Sequence, residues 1–251
     1  MNINNYSKEI KIASEAAISA GKILMANKKK LNVTKKSDIK DTKLIADTVS
    51  EDLIKKIIQS NSDYPILAEE SGKSSDDMGD TFWVIDPLDG TANYNRDIPI
   101  CAVSIGLVNN LRPLIGVVYD FNNDDIYVGN NVSKSSTLNN NKINVSDLED
   151  KSKGILITGL PVNSEYSDES LTKVIDDMQL WKKIRMIGSA AMASCYVASG
   201  KAEMYKEKGI YLWDIAAGAA IVQSAGGIAD ISNIRENFQA DVIFSNSNIK
   251  D

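Results

Sequence analysis

The sequence predicts a mixed α+β fold built from layers of helices and strands. Short apolar runs of strand length alternate with longer segments whose apolar residues recur every three or four positions, as in amphipathic helices. Two of the strand-like runs flank Asn109 and Asn110, and a short polar turn of this kind favours an antiparallel hairpin over an all-parallel sheet. With 251 residues, 43% of them hydrophobic, the chain can bury a sizeable core.

The first half of the chain begins with helical patterns and continues with strands. Helices are predicted over 6–27 and 42–60, separated by a basic linker at 28–36 that we interpret as a solvent-exposed loop in preference to a specific anion contact. The predicted strands are 64–68, 82–85, 100–108, 114–119 and 126–128. The strand at 82–85 is expected to end at Asp86-Pro87, because proline has no backbone donor for a ladder.

The second half alternates strands and helices after a polar, Asn-rich stretch at 133–141, which predicts a loop or a subdomain boundary. The predicted strands are 154–160, 184–187, 202–206 and 240–245. The predicted helices are 167–181, 188–200 and 215–225, the first with Leu171, Val174, Ile175 and Met178 facing inward. Ser189 and Asp214 could each be a simple N-cap, and Ser189 could equally contact a phosphate or substrate.

Composition excludes several classes of function. The chain has no histidine, which rules out Ser-His-Asp and Cys-His catalysis and histidine-ligated zinc. A net charge of -6 argues against general binding of nucleic acid or anionic membranes. Cys101 and Cys195 lie in apolar segments, as expected of buried thiols in a reducing compartment. Without a signal peptide or membrane-spanning run, a cytoplasmic location is expected.

Carboxylates collect at the ends of the predicted elements. Asp86 and Asp89 follow the strand at 82–85, and Glu69 follows the preceding strand. Asp214 opens a helix, and Asp47 has no Lys one turn later, whereas Glu51 has Lys55 and is interpreted as a surface residue. Hard oxygen donors without histidine favour Mg²⁺ or Mn²⁺. Gly90-Thr91 beside them suits a phosphate, so the pattern indicates a metal-assisted phosphate site.

Three segments then resemble the inositol monophosphatase family of metal-dependent, lithium-sensitive phosphatases: Ala68–Ser71, Trp83–Tyr94 and Trp213–Gly218. The likeness covers nearly the whole chain. It implies a five-layer αβαβα sandwich of the inositol monophosphatase and fructose-1,6-bisphosphatase type, usually a homodimer. The expected division is an N-terminal subdomain, 1–135, with most metal ligands and a C-terminal subdomain, 136–251, with Asp214 and the substrate contacts.

The resemblance also implies a set of metal ligands. Glu69, Asp86 and the Leu88 carbonyl would bind one metal ion, and Asp86, Asp89 and Asp214 would bind a second. Glu69 would face a third, weaker site. Two or three Mg²⁺ ions per active site are therefore expected, with Mn²⁺ as an alternative.

Catalytic and substrate-binding roles follow from the same resemblance. Asp47 and Thr91, grouped with Glu69, would position and deprotonate the attacking water, and the Gly90 and Thr91 amides would hold the phosphate. The residues that match positions contacting the polyol are Gly188, Ser189, Ala190 and Glu207.

The expected activity is Mg²⁺-dependent hydrolysis of a small phosphorylated polyol, with inositol 1-phosphate favoured. A 3'(2'),5'-bisphosphate nucleotidase, a fructose-1,6-bisphosphatase and a histidinol-phosphatase are the alternatives in the superfamily, although the nucleotidases tend to have Lys-Glu-Phe where this chain has Ala92-Asn93-Tyr94. Arg96 departs from the family pattern, either as a surface residue or as a contact for a second phosphate. A non-catalytic regulatory binding protein is the alternative of another class.

Overall fold

The structure, a computed structural model, describes residues 5–37, 42–160 and 167–250. In these ranges the helices are α1 (Ser7–Ala26), α2 (Lys28–Leu31), α3 (Ile45–Gln59), α4 (Thr91–Asn95), α5 (Asp168–Gln179), α6 (Ala190–Ala198) and α7 (Leu212–Ser224). None of the helices in the described ranges has the length and apolarity needed to cross a bilayer.

The strands form two large sheets and one small one. The strands are β1 (Thr34–Ser37), β2 (Thr42–Leu44), β3 (Ile66–Ala68), β4 (Gly72–Lys73), β5 (Thr81–Asp89), β6 (Ala102–Asn109), β7 (Arg112–Asp120), β8 (Asp125–Asn130), β9 (Ser135–Leu138), β10 (Asn141–Lys142), β11 (Ile155–Thr158), β12 (Lys183–Arg185), β13 (Met204–Tyr211), β14 (Ile228–Ser232) and β15 (Gln239–Ser245). The long sheet has the order β10-β9-β8-β7-β6-β5-β3-β4, and the short sheet has the order β12-β11-β13-β15-β14. Both mix parallel and antiparallel neighbours, and β6 and β7 form the predicted hairpin.

The sheets and helices stack in five layers. Helices α1 and α3 pack together against one face of the long sheet, and α6 and α7 lie between the two sheets. Helix α5 contacts the short sheet on its other side through Asp177, whose Oδ2 lies 2.6 Å from Lys206 Nζ of β13. This order of layers confirms the αβαβα sandwich.

The loop predicted at 133–141 is wrong, because β9 and β10 extend the long sheet there. β10 is the edge strand, and β9 next to it pairs with it at only two positions. Strands at an edge are partly open to solvent, so their polar sequence resembles that of a loop. Strands of the long sheet give way to those of the short sheet between residues 142 and 155. The subdomain division at 135/136 stays a prediction.

The basic linker at 28–36 is not a plain loop. Its first residues form α2, and β1 pairs antiparallel with β2. Because residues 42–44 belong to this hairpin, α3 begins at Ile45 and not at residue 42. The pattern of charged residues carries no information about backbone pairing between strands, which explains why the sequence predicts a loop here.

Strand β5 continues through Pro87 to Asp89, beyond the predicted end at residue 85. Its register against β6 shifts between Asp86 and Asp89. A bulge at this point lets the strand pass a residue that cannot donate to the ladder.

Helix α5 has a different inward face from the one predicted. Leu171 and Ile175 are 39% and 51% exposed, so the prediction that they face inward is wrong. Val174 and Met178 are half-buried as expected, and Asp177 joins them by pairing with Lys206. A charged residue therefore belongs to the inward face of α5. The periodicity of apolar residues alone predicts the wrong inward face.

Candidate active site

Three buried or half-buried carboxylates converge where β5 ends and α7 begins. One carboxylate oxygen from each of Asp86, Asp89 and Asp214 lies within 4.8 Å of the others, and we call these three residues the acidic cluster. In a regular strand, positions 86 and 89 would face opposite sides of the sheet, because side chains alternate. The register shift at Pro87 changes this alternation and is what allows both carboxylates to meet.

The electrostatics of the acidic cluster favour a bound cation. Burial, followed by the charges of neighbouring carboxylates, raises the pKa values of Asp86 and Asp214 well above the usual range. Burial also raises the pKa of Asp89 to about 6. Among the described residues, none of the ion pairs includes a member of the cluster. Closely spaced hard oxygen donors without a cationic side chain fit Mg²⁺ or Mn²⁺.

Asp89 is held by the first residues of α6. The Ser189 hydroxyl donates to Asp89 Oδ2, as does the Ala191 amide at 2.9 Å, and the Ala190 amide lies 3.3 Å from Oδ1. Ser189 also caps α6, because its Oγ accepts from the Met192 amide at 3.2 Å. The N-cap prediction for Ser189 is thus confirmed, and its hydroxyl serves a carboxylate as well.

Asp214 and Asp47 occupy equivalent positions in their helices. The Tyr211 amide donates to Asp214 Oδ2 at 3.0 Å, and the Leu44 amide donates to Asp47 Oδ2 at 2.6 Å. Each carboxylate reaches back from the third helical position to the residue before the helix. Asp214 is therefore not the N-cap, since Tyr211 holds that position.

Asp47 and Thr91 are brought together as predicted from the resemblance. Thr91 Oγ1 lies 3.0 Å from Asp47 Oδ1 and 3.0 Å from the Leu88 carbonyl oxygen. Asp47 is only 1% exposed, and burial raises its pKa to about 6. A carboxylate with a pKa near neutrality that accepts from a hydroxyl has the character of a general base.

Glu69 lies at the end of β3 and is half-buried. Its pKa is raised well above the usual range by burial and then by the charges of Asp214 and Asp47, which connects it electrostatically with both groups. The amide of Glu69 donates to the Ile85 carbonyl at 3.1 Å, so this turn is anchored to β5.

A cleft of about 720 Å³ opens beside the acidic cluster. Eight of the predicted site residues line it: Asp89, Gly90, Thr91, Gly188, Ser189, Ala190, Glu207 and Asp214. Gly90 has φ +86, and a Cβ there would lie 2.8 Å from the Ile100 carbonyl oxygen, so the turn requires glycine. None of the described lining residues is Lys or Arg. Arg96 is exposed and does not line the cleft, in agreement with a surface role.

Glu207 enters the cleft from a register shift in β13, between Glu207 and Ile210. The Tyr205 hydroxyl donates to its Oε2 at 3.0 Å. Burial raises the pKa of Glu207 to about 7. The side chain packs on Gly159, where a Cβ would lie 2.4 Å from Glu207 Cδ.

Sequence reasoning missed two supporting residues on α3. Ser50 Oγ donates to the Pro87 carbonyl at 2.8 Å and so anchors the bulge of β5. Glu51, predicted as a surface residue, is 2% exposed; its Oε2 accepts from the Glu70 amide at 2.8 Å, and its Oε1 lies 3.7 Å from Lys55 Nζ. The burial of Ser50 and Glu51 is a tertiary feature, and spacing along one helix carries no signal for it.

Comparison with known proteins gives a consistent result. The profile of the "Inositol monophosphatase family" matches residues 5–245. "Inositol monophosphatase 1" of Rattus norvegicus is 36% identical over 222 residues, covering 84% of this chain and 79% of the relative. "Nus factor SuhB" of Xylella fastidiosa is 35% identical over 222 residues, covering 87% of this chain and 80% of the relative. The solved structure of inositol monophosphatase from Anabaena (Nostoc) superposes with a TM-score of 0.84 at 33% identity, covering 97% of this chain and 92% of that one.

Proposed function

Because the chain belongs to the inositol monophosphatase family, and is therefore a phosphomonoesterase, we propose that it hydrolyses a small phosphorylated polyol with Mg²⁺ as cofactor. Inositol 1-phosphate is the favoured substrate. The observation that carries the proposal is the acidic cluster, in which Asp86, Asp89 and Asp214 meet without a cationic side chain at the edge of a cleft.

The protein's own residues would divide the work of the reaction. The carboxylates of the acidic cluster and of Glu69, with the Leu88 carbonyl, would hold two or three Mg²⁺ ions. When bound, Mg²⁺ supplies Lewis-acid stabilisation of the phosphate and lowers the pKa of water. The Thr91 hydroxyl would take a proton from the attacking water as it passes its own proton to Asp47, since Thr91 Oγ1 and Asp47 Oδ1 are 3.0 Å apart.

The water oxygen would then bond to phosphorus as the bond between phosphorus and the ester oxygen breaks, and the ester oxygen would take a proton from a solvent water to leave as the alcohol. Gly90 and Thr91 are proposed to hold the phosphate through their amides. Gly188, Ser189, Ala190 and Glu207 are proposed to face the alcohol. A carboxylate such as that of Glu207 accepts hydrogen bonds from sugar-like hydroxyls.

The composition of the cleft supports a monophosphate as the substrate. A bisphosphate needs positive charge at two places, and the described lining residues include neither Lys nor Arg. This argues against a bisphosphate nucleotidase and a fructose-1,6-bisphosphatase. Histidinol phosphate carries one phosphate and a cationic group that would suit Glu207, so it remains the alternative to test beside inositol 1-phosphate.

The test is release of inorganic phosphate from a panel: inositol 1-phosphate, histidinol phosphate, fructose 1,6-bisphosphate and a 3',5'-bisphosphate nucleotide. We expect turnover of inositol 1-phosphate only with added Mg²⁺, inhibition by Li⁺, and loss of activity in Asp89→Asn with the fold retained. Equal turnover in EDTA would refute the metal-dependent mechanism. Preference for either bisphosphate would refute the substrate argument.

A regulatory binding role is the second candidate, because one relative at 35% identity is named a Nus factor. The net charge of -6 disfavours direct contact with RNA. A protein that releases no phosphate from any ester of the panel would favour this role. The expected homodimer and cytoplasmic location stay predictions, and light scattering of the purified protein measures the first.

A further inference from the structure

The side-chain amide of Asn93, on α4, joins two segments that are far apart in the chain. Its Nδ2 donates to the Ile100 carbonyl and to the Ile187 carbonyl, both at 2.7 Å. An amide nitrogen has two hydrogens, and these two contacts use both. Ile100 precedes β6 of the long sheet, and Ile187 lies between β12 and α6. Asn93 therefore fixes the chain before α6 against the long sheet.

The turn beside Ile187 is shaped around this amide. Gly188 has φ +69, a conformation that favours glycine. A Cβ at Gly188 would lie 3.2 Å from Asn93 Nδ2, so the absence of a side chain lets the turn approach the amide closely. Nδ2 also lies 3.4 Å from the Gly188 carbonyl oxygen.

The same turn leads directly to the groups that hold Asp89. Ser189 donates through its hydroxyl, and Ala191 through its amide at 2.9 Å. Asp89 and Asn93 are close together in the chain. The Asn93 side chain binds the turn before α6, and the same turn carries the donors that bind Asp89. These contacts therefore form a closed ring. Movement of the turn would therefore move the donors of a carboxylate in the acidic cluster.

We propose that Asn93 is a positioning residue that fixes the turn before α6, so that Ser189 and Ala191 hold Asp89 in its place in the acidic cluster. Its consequence for turnover rests on the proposed function, whereas its consequence for cation binding does not. Loss of the two N–H donors of Asn93 would leave the turn before α6 free to move, and the Asp89 carboxylate with it. Cation binding would then have to order that carboxylate, at a cost in free energy. The affinity for the cation therefore falls.

The test compares two asparagines of α4. Asn93→Leu removes the donors at nearly constant size. Asn95→Leu is the matched control, because Asn95 Nδ2 donates to Asn32 Oδ1 at 2.9 Å and not to the turn before α6. Binding of Mn²⁺ is measured by electron paramagnetic resonance without substrate. We expect affinity about tenfold weaker in Asn93→Leu, the size expected for loss of one to two hydrogen bonds, and unchanged in Asn95→Leu.

A second measurement separates positioning from general destabilisation. In Asn93→Leu the Mg²⁺ concentration for half-maximal turnover should rise by the same factor, and turnover should recover at saturating Mg²⁺. Wild-type Mn²⁺ affinity in a folded Asn93→Leu, or an equal loss in Asn95→Leu, would overturn the proposal. Should Asn93→Leu fail to fold, the Mn²⁺ affinity of Asn93→Ser, measured in the same way, tests the proposal in its place.

The two proposals fail in different ways. A wild-type protein that binds Mn²⁺ but hydrolyses none of the esters refutes the proposed function, and the Mn²⁺ affinities of the variants still decide the role of Asn93. A wild-type protein that binds no Mn²⁺ overturns both.

Discussion

Replacement of Asp47 by Asn should separate stability from activity. The Asp47 carboxylate is 1% exposed, and burial raises its pKa from 3.8 to about 6. A carboxyl whose pKa is raised on folding gives stability that is complete below pH 3.8 and is lost as the pH rises through about 6. Raising the pKa of Asp47 from 3.8 to about 6 corresponds to about 3 kcal/mol of lost folding stability at pH 8 in the metal-free protein.

The amide in Asp47→Asn would carry no charge and would avoid that loss. It can still accept one of the two hydrogen bonds that Asp47 accepts, from Leu44 and Thr91, so the other is lost at a cost of about 1 to 2 kcal/mol. We therefore expect metal-free Asp47→Asn to be at least as stable as wild type at pH 8, by up to about 2 kcal/mol. Turnover with Mg²⁺ should fall by about 10² to 10⁴, the range for loss of a general base.

The assays are urea unfolding in EDTA at pH 5 and pH 8 and phosphate release with Mg²⁺. About half of the burial penalty develops between these pH values, so the stability of Asp47→Asn relative to wild type should improve by about 1.5 kcal/mol from pH 5 to pH 8. Asp52→Asn is the control, because Asp52 is an exposed residue of the same helix. A relative stability that does not change with pH would refute the electrostatic reasoning, and retained turnover would refute the catalytic role.

Two further predictions concern substrate and metal. Gly159→Ala should raise the KM for inositol 1-phosphate about tenfold, because a Cβ 2.4 Å from Glu207 Cδ must displace that carboxylate. The Mg²⁺ concentration for half-maximal turnover should not change. An unchanged KM would contradict contact between Glu207 and substrate. Mg²⁺ should raise the thermal midpoint of wild type more at pH 8 than at pH 5, because protons compete for carboxylates such as Asp89, whose pKa is about 6. An equal shift at both pH values in calorimetry would place the ion elsewhere.

The acidic residues could be found from the sequence because each stands beside an element end. Asp86 and Asp89 follow an apolar run, and Asp214 precedes one, so hydrophobic patterning alone places them at the borders of the core. The resemblance then added Thr91 as a partner for Asp47, and the structure places their side chains 3.0 Å apart.

What sequence could not supply depends on contacts between distant elements. The bulge at Pro87 is visible only when β5 is aligned with β6. The face of α5 that points inward depends on the ion pair between Asp177 and Lys206, which lies on a later strand. Glu51 is a third example. Its spacing from Lys55 is typical of a surface ion pair, but Glu51 is buried and accepts a hydrogen bond from the amide of Glu70, which is distant in the chain.

The hydrogen bonds that hold the site carboxylates come from neutral donors and so leave the carboxylates' negative charge in place. Asp47, Asp89 and Asp214 accept hydrogen bonds from backbone amides at the starts of α3, α6 and α7. These amides and the helix dipoles favour the charged form, but they add no full positive charge. A Lys or Arg in their place would neutralise a carboxylate and compete with the metal. Backbone amides at three helix starts therefore hold these acidic groups in position, while leaving them with a net negative charge that a divalent cation would balance.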